Sequence, residues 1–71
     1  MAMDIVMQRP SELVPETEVG TAKRLSYVVL NDPEPFGVEG WRVQVQFADG
    51  GVGYREWDHN DETVPVRADT L

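Results

Sequence analysis

Cysteine is absent from this 71-residue chain, which excludes a disulfide framework and any thiolate metal site. Lysine occurs once, at Lys23, and histidine once, at His59. A single imidazole among carboxylates falls short of the three or four N or S ligands that zinc generally takes, and it has no evident partner for acid–base or nucleophilic work. Ser11 and Ser26 likewise lack a paired base within evident reach. No stretch approaches the roughly 20 apolar residues of a membrane span. No apolar run stands near the start either, so a cleaved signal peptide is not expected and the expected location is cytoplasmic. No segment of useful length has helical periodicity, and there is no internal repeat.

What is abundant is negative charge. Asp and Glu total 13 against 6 Lys and Arg, a formal net charge of −7. Such a field repels nucleic-acid phosphates and anionic lipid and attracts basic protein surfaces. A chain this short buries only about 60 % of the surface its unfolded form exposes, so the core is thin.

Strand signals dominate the rest. Trp41, Val43, Val45 and Phe47 alternate with Arg42, Gln44 and Gln46, the period of two that splits a strand into an apolar and a polar face. Asp49-Gly50 then supplies the dipeptide favoured in a two-residue type I′ hairpin loop. That loop would pair Phe47 with Val52, Val45 with Tyr54 and Arg42 with Trp57, the last a cation over an indole, but it places Glu56 on the core side opposite Val43. A three-residue loop of Asp49, Gly50 and Gly51 would instead put Trp57 inside and Arg55 against Val45; a bulge after Tyr54 would reconcile the two, turning both Tyr54 and Trp57 inward, and is expected for that reason. Residues 23–30 form a second strand with apolar groups on both faces, which suits a central position.

Between these strands, residues 31–40 read as a ten-residue loop of turn formers with two prolines, long enough to be a binding loop or a lid. Its one large apolar group is Phe36, which either plugs an open end of the sheet or anchors a partner. Residues 1–22 read as an irregular N-terminal arm or short edge strand. Within them Ser11 would cap one helical turn starting at Glu12, and residues 16–20 would be an acidic loop. Residues 63–66 are short, extended and confined by Pro65 to an edge, and 67–71 are expected to fray. The fold class is all-β: a small antiparallel sheet of three to four strands over residues 23–66, curled or forming an SH3-like half-barrel.

Three motifs invite chemistry and are weak. Asp58, Asn60, Glu62 and Asp69 follow the spacing of a calcium loop, but Thr63 replaces the turn glycine, Pro65 stiffens the middle and flanking helices are absent from the pattern. Gly50, Gly51 and Gly53 precede a strand rather than a helix, so no helix N-terminus is available to hold a phosphate. Trp41, Tyr54 and Trp57 with Arg42 and Arg55 resemble a base-stacking platform, against which the acidic total weighs at every phosphate. No enzyme activity, metal, cofactor or direct nucleic-acid binding is expected.

The function that fits is a protein-interaction module or inhibitor docking on a basic surface of a larger partner. Phe36, Tyr54 and Trp57 would be its anchors, within an acidic rim that includes Glu34, Asp58, Asp61 and Glu62. A sharper form is a DNA mimic of the kind small phage-encoded inhibitors exemplify, occupying a nucleic-acid-binding protein. The alternative is a structural accessory subunit that pairs an edge strand with itself, as a homodimer, or within a larger assembly.

Overall fold

The longest strand carries the alternating run and has neighbours on both sides. In the computed structural model, which describes residues 4–68, strands form at Ile5–Gln8 (β1), Glu18–Gly20 (β2), Leu25–Val29 (β3), Glu34–Phe36 (β4), Gly40–Phe47 (β5), Val52–Trp57 (β6) and Val64–Arg67 (β7). Together they make one antiparallel sheet of seven strands in the order β1-β7-β2-β3-β5-β4, with β6 also paired to β5. The chain is thus all-β, with more strands than the three or four expected, and the sheet is open. β5 holds β6 along one edge; along the other it holds β3 and then β4.

The hairpin register departs from every form considered above. Gln46 pairs with Val52, and the pairing runs unbroken to Trp41 opposite Trp57, so there is no bulge after Tyr54. The loop is Ala48, Asp49 and Gly50: Gly50 N–H donates to Phe47 O at 2.9 Å, and Phe47 N–H to Gly51 O at 2.7 Å. A type I′ turn needs positive φ at both central residues, and only Gly50, at +95°, has it. The Asp49 carboxylate instead accepts Gly51 N–H at 2.9 Å, which favours a three-residue loop ending in the left-handed glycine. The one-position shift moves every β6 side chain to the other face. Trp57 therefore goes in, while Tyr54 and Glu56 go out.

Of the two forms expected for residues 1–22, the short edge strand is present as β1, and in place of an irregular arm the rest of the segment adds the 3-10 turn and an inner strand. β1 is an edge strand on β7, whereas β2 lies between β7 and β3. Of the stretch 16–20 expected as an acidic loop, residues 18–20 are β2: Glu16 turns the chain with a left-handed φ of +72°, its N–H donates to Val29 O at 2.7 Å, and Val29 N–H donates back to Thr17 O at 2.9 Å, which aligns the segment on β3. Proline restricts the helical turn as expected, but the turn is a 3-10 segment at Pro10–Glu12. Glu12, not Ser11, makes its capping bond, accepting Arg9 N–H at 2.7 Å. The Ser11 N–H is used elsewhere, on Asn60 Oδ1 at 3.0 Å.

Both proline-limited segments are more ordered than composition suggests. Leu30 N–H donates to Gln44 O at 2.8 Å, which fixes the even-numbered residues of β5 as those bonding toward β3 and β4. Pro35, opposite Trp41, then turns its nitrogen to the open edge, where no N–H is needed. The ten-residue loop reduces to a bend at 31–33, the short β4 and a tight turn at 37–39. β7 is not an edge, since it lies between β1 and β2. Ala68 N–H donates to Asp4 O at 2.9 Å, so alternation points Pro65 away from β1, toward the side where β2 bridges β7 only at Val19 and Val66. Arg67 is ordered within β7, its guanidinium 3.0 Å from Glu18. Met1 to Met3 and residues 69–71, including Asp69, lie outside the described residues.

One face of the sheet is the core. Val19, Tyr27, Val29, Val43, Val45, Trp57, Val64 and Val66 share it with Leu13, which follows the 3-10 turn. Gly53 leaves room there for the Phe47 ring, which meets Tyr27 edge-on with centroids 6.4 Å apart.

Candidate interaction surface

The face turned away from the core is where β4, β5 and β6 lay out the remaining chemistry. Glu34 and Phe36 of β4 flank Arg42 and Gly40 of β5, and Glu56 of β6 pairs with Arg42 from the other side. Arg42 is the centre of the group. Its Nε donates to Glu34 Oε1 at 2.9 Å, and its guanidinium carbon lies 4.7 Å from the Phe36 ring centroid and 4.9 Å from that of Tyr54. The planar cation is thus held between two aromatic rings, an arrangement that attraction to the ring faces favours. Its bond to the Glu34 carboxylate raises the Arg42 pKa further above its ordinary value, so the centre stays positive at any physiological pH.

Both rings stay accessible, Phe36 at 41 % and Tyr54 at 53 % exposure. Phe36 therefore does not plug the sheet. At the end of this face the 37–39 turn meets the residues after β6 and encloses a shallow hollow of ≈ 270 Å³ bounded by Phe36, Val38, Glu39, Asp58 and His59. Val38, at the tip, is 100 % exposed. Glu39 Oε2 lies 3.1 Å from His59 Nδ1 across the hollow, which ties the two connections together.

The residues singled out from sequence therefore separate into three groups. Phe36, Tyr54 and Glu34 converge on Arg42, and Asp58 stands at the adjoining hollow. Trp57 is in the core at 8 % exposure, opposite Trp41. It is unavailable as an anchor, because the three-residue loop turns it inward. Asp61 and Glu62 are exposed beyond Asn60, whose Oδ1 accepts Ser11 N–H, and so stand beside the 3-10 turn rather than in the hollow.

Sequence reasoning missed Arg42 as the organiser: the two-residue loop set it over Trp57, and the expected bulge, which rightly turned Trp57 inward, also turned Tyr54 inward and away from Arg42. The outward phase of Arg42 was legible from the alternation, but its aromatic neighbours depend on the loop geometry and on β4. Of the calcium-like run, Asn60 is engaged with Ser11, and among the described residues no three His, Asp or Glu side chains converge as metal ligands. No described helix is long and apolar enough to cross a membrane. The fold and surface define a small all-β domain with an aromatic and acidic outer face. Compared with protein-family models, curated proteins and solved structures, the chain matches none of them.

Proposed function

We propose that this protein is a small acidic interaction module that docks on a basic surface of a larger partner, with Phe36 and Tyr54 as anchors and Glu34, Glu39, Glu56 and Asp58 as the charged rim. The observation that carries this reading is the Arg42 stack: two exposed aromatic rings clamped on one cation, on the face the core does not use. Rigid rings give up little conformational entropy on binding and supply large contact area, as interface anchors do. The surrounding carboxylates, in a chain of net charge −7, select a cationic partner and speed its approach.

Capture from a lysate of the producing organism, compared between the wild-type chain and a Phe36→Ser/Tyr54→Ser variant, identifies the partner. The purified partner is then titrated at low and high salt. The expected result is a basic protein whose affinity falls steeply with salt and at least about tenfold on loss of the two rings. Equal retention by the ring-less variant, or affinity indifferent to salt, would overturn the reading. Where the partner binds DNA, competition between DNA and this protein tests the mimic form directly.

A further inference from the structure

The strand β6 has a partner on one side only. Phe47 N–H bonds to Gly51 O, and with the register of β5 and β6 this directs the odd-numbered residues of β6 at β5. The amide and carbonyl groups of Val52, Tyr54 and Glu56 consequently point outward, and among the described residues nothing pairs with them. Exposed edges are commonly guarded by proline, a bulge or charged side chains, lysine above all. β4 is guarded by Pro35; β6 has no proline, bulge or lysine, and its two charges, Arg55 and Glu56, lie one on each face, where they select a partner's side chains and leave the backbone edge open.

We propose that the free edge of β6 is a docking strand for an extended cationic segment of the partner, which adds to the sheet as its next strand with cations beside Tyr54 and Glu56 and apolar side chains beside Gly53. The proposal rests on the interaction-module reading above and names the form of the partner's contact. Main-chain hydrogen bonds would supply affinity, and alternate side chains the selectivity. The two faces of β6 differ in what they accept. Tyr54 and Glu56 on the outer face suit a lysine or arginine, by ring attraction and charge. On the core-side face Arg55 lies 5.6 Å from the Tyr27 ring centroid; it repels cations there, while the half-buried Phe47 ring lying over neighbouring Gly53 offers an apolar surface to a side chain of the added strand. The segment selected therefore alternates cationic and apolar residues.

A second copy of this chain is the poorer occupant. Each copy brings a charge of −7. Antiparallel pairing about Tyr54 would set Val52 of one copy against Glu56 of the other, and pairing about Arg55 would juxtapose two guanidinium groups.

The test uses the full chain, an alternating lysine–valine octapeptide, and a control of the same sequence with every backbone amide N-methylated, equal in charge but with no N–H to enter a ladder. Amide hydrogen exchange is read residue by residue. The expected result is at least about tenfold slower exchange at Tyr54 and Glu56 with the lysine–valine peptide, no change at Arg55, and no slowing with the control. Val52→Pro puts proline at the first position of the strand, where its missing N–H faces outward. This variant should keep its far-ultraviolet circular dichroism and bind the lysine–valine peptide at least about fivefold more weakly. Equal binding of both peptides with no protection at Tyr54 and Glu56 would overturn the edge proposal while leaving charge-driven docking intact. Binding of neither peptide would overturn the edge proposal, with the docking reading still decided by partner capture. Concentration-dependent protection of the same amides without peptide would overturn it in favour of a second copy.

Discussion

Replacing Trp57 by alanine tests the hairpin register, on which every assignment of the outer face depends. The indole is 8 % exposed and packs within the valine-rich core. Truncating a buried Trp costs about 3–5 kcal/mol, counting both the lost transfer energy and the cavity left behind. At about 0.05–0.15 kcal/mol per residue, a chain of this length has roughly 4–11 kcal/mol of stability in all. Trp57→Ala should therefore consume about a quarter of the total or more, lowering the melting temperature by at least about 12 °C at about 4–8 °C per kcal/mol. Tyr54→Ala, on the opposite face, should cost less than about 1 kcal/mol. A two-residue loop without a bulge reverses this ranking, since it puts Tyr54 inside and Trp57 outside. Urea unfolding followed by circular dichroism, with Trp41 fluorescence as a second probe, measures both variants. A Trp57→Ala melting point within about 3 °C of wild type, or a Tyr54→Ala loss larger than that of Trp57→Ala, would refute the register.

Three further outcomes are expected. Gly40→Ala should destabilise by about 3 kcal/mol or more, because a Cβ there would overlap the carbonyl oxygens of Trp57 and Phe36; Gly37→Ala, with open space around it but a left-handed φ of +79°, should cost only the roughly 1–2 kcal/mol of that backbone strain, and urea midpoints that reverse this order would contradict the packing. Thr17→Val should raise stability by about 1 kcal/mol, since the Thr17 hydroxyl is buried without a hydrogen-bond partner, and a clear fall in melting temperature would show that the hydroxyl is bonded. Burial pushes the Tyr27 phenol above its ordinary pKa, an effect only partly offset by Arg55. The folded state thus holds that proton more tightly than the unfolded one, so the Tyr27 contribution is complete below about pH 10 and is lost as pH rises through the folded value. Tyr27→Phe should flatten the alkaline limb of the stability curve, and an unchanged limb would assign the loss to other groups.

How much of this was legible in the sequence depended on how locally each feature was determined. The alternation from Trp41 to Phe47 yields β5 directly, because side-chain period and burial coincide there. The two-faced apolar pattern of β3 likewise anticipates its place between β2 and β5. The hairpin loop was not decidable from Asp49-Gly50 alone: Gly50 serves equally as the second residue of a type I′ turn and as the left-handed glycine that closes a three-residue loop beginning at Ala48. β2 and β7 are fixed by long-range pairing, through Glu16 with Val29 and Val66 with Val19, which no local window contains. Pro35 argued against a strand, and Pro65 against an inner one, only under the premise that each residue must donate to a neighbour. In both places the missing N–H faces a side that asks little of it. Of the surface, Phe36, Tyr54, Glu34 and Asp58 were named from residue type, and their convergence needed the register.

That convergence separates the outer face from an ordinary surface. Single exposed apolar residues are normal in soluble proteins, because polar groups are too few to cover the whole exterior. Tyr54 alone would therefore argue nothing. Phe36 and Tyr54, however, come from strands on opposite sides of β5 and meet on one guanidinium, while the core is closed by valines that leave both rings unused. Removing both rings should accordingly cost little folding stability. If their presence reflected packing alone, the Phe36→Ser/Tyr54→Ser variant would melt far below the wild type. If it reflects recognition, the variant should melt within a few degrees of it and fail only where a partner is present, and differential scanning calorimetry of the isolated chain separates the two causes before any partner is known.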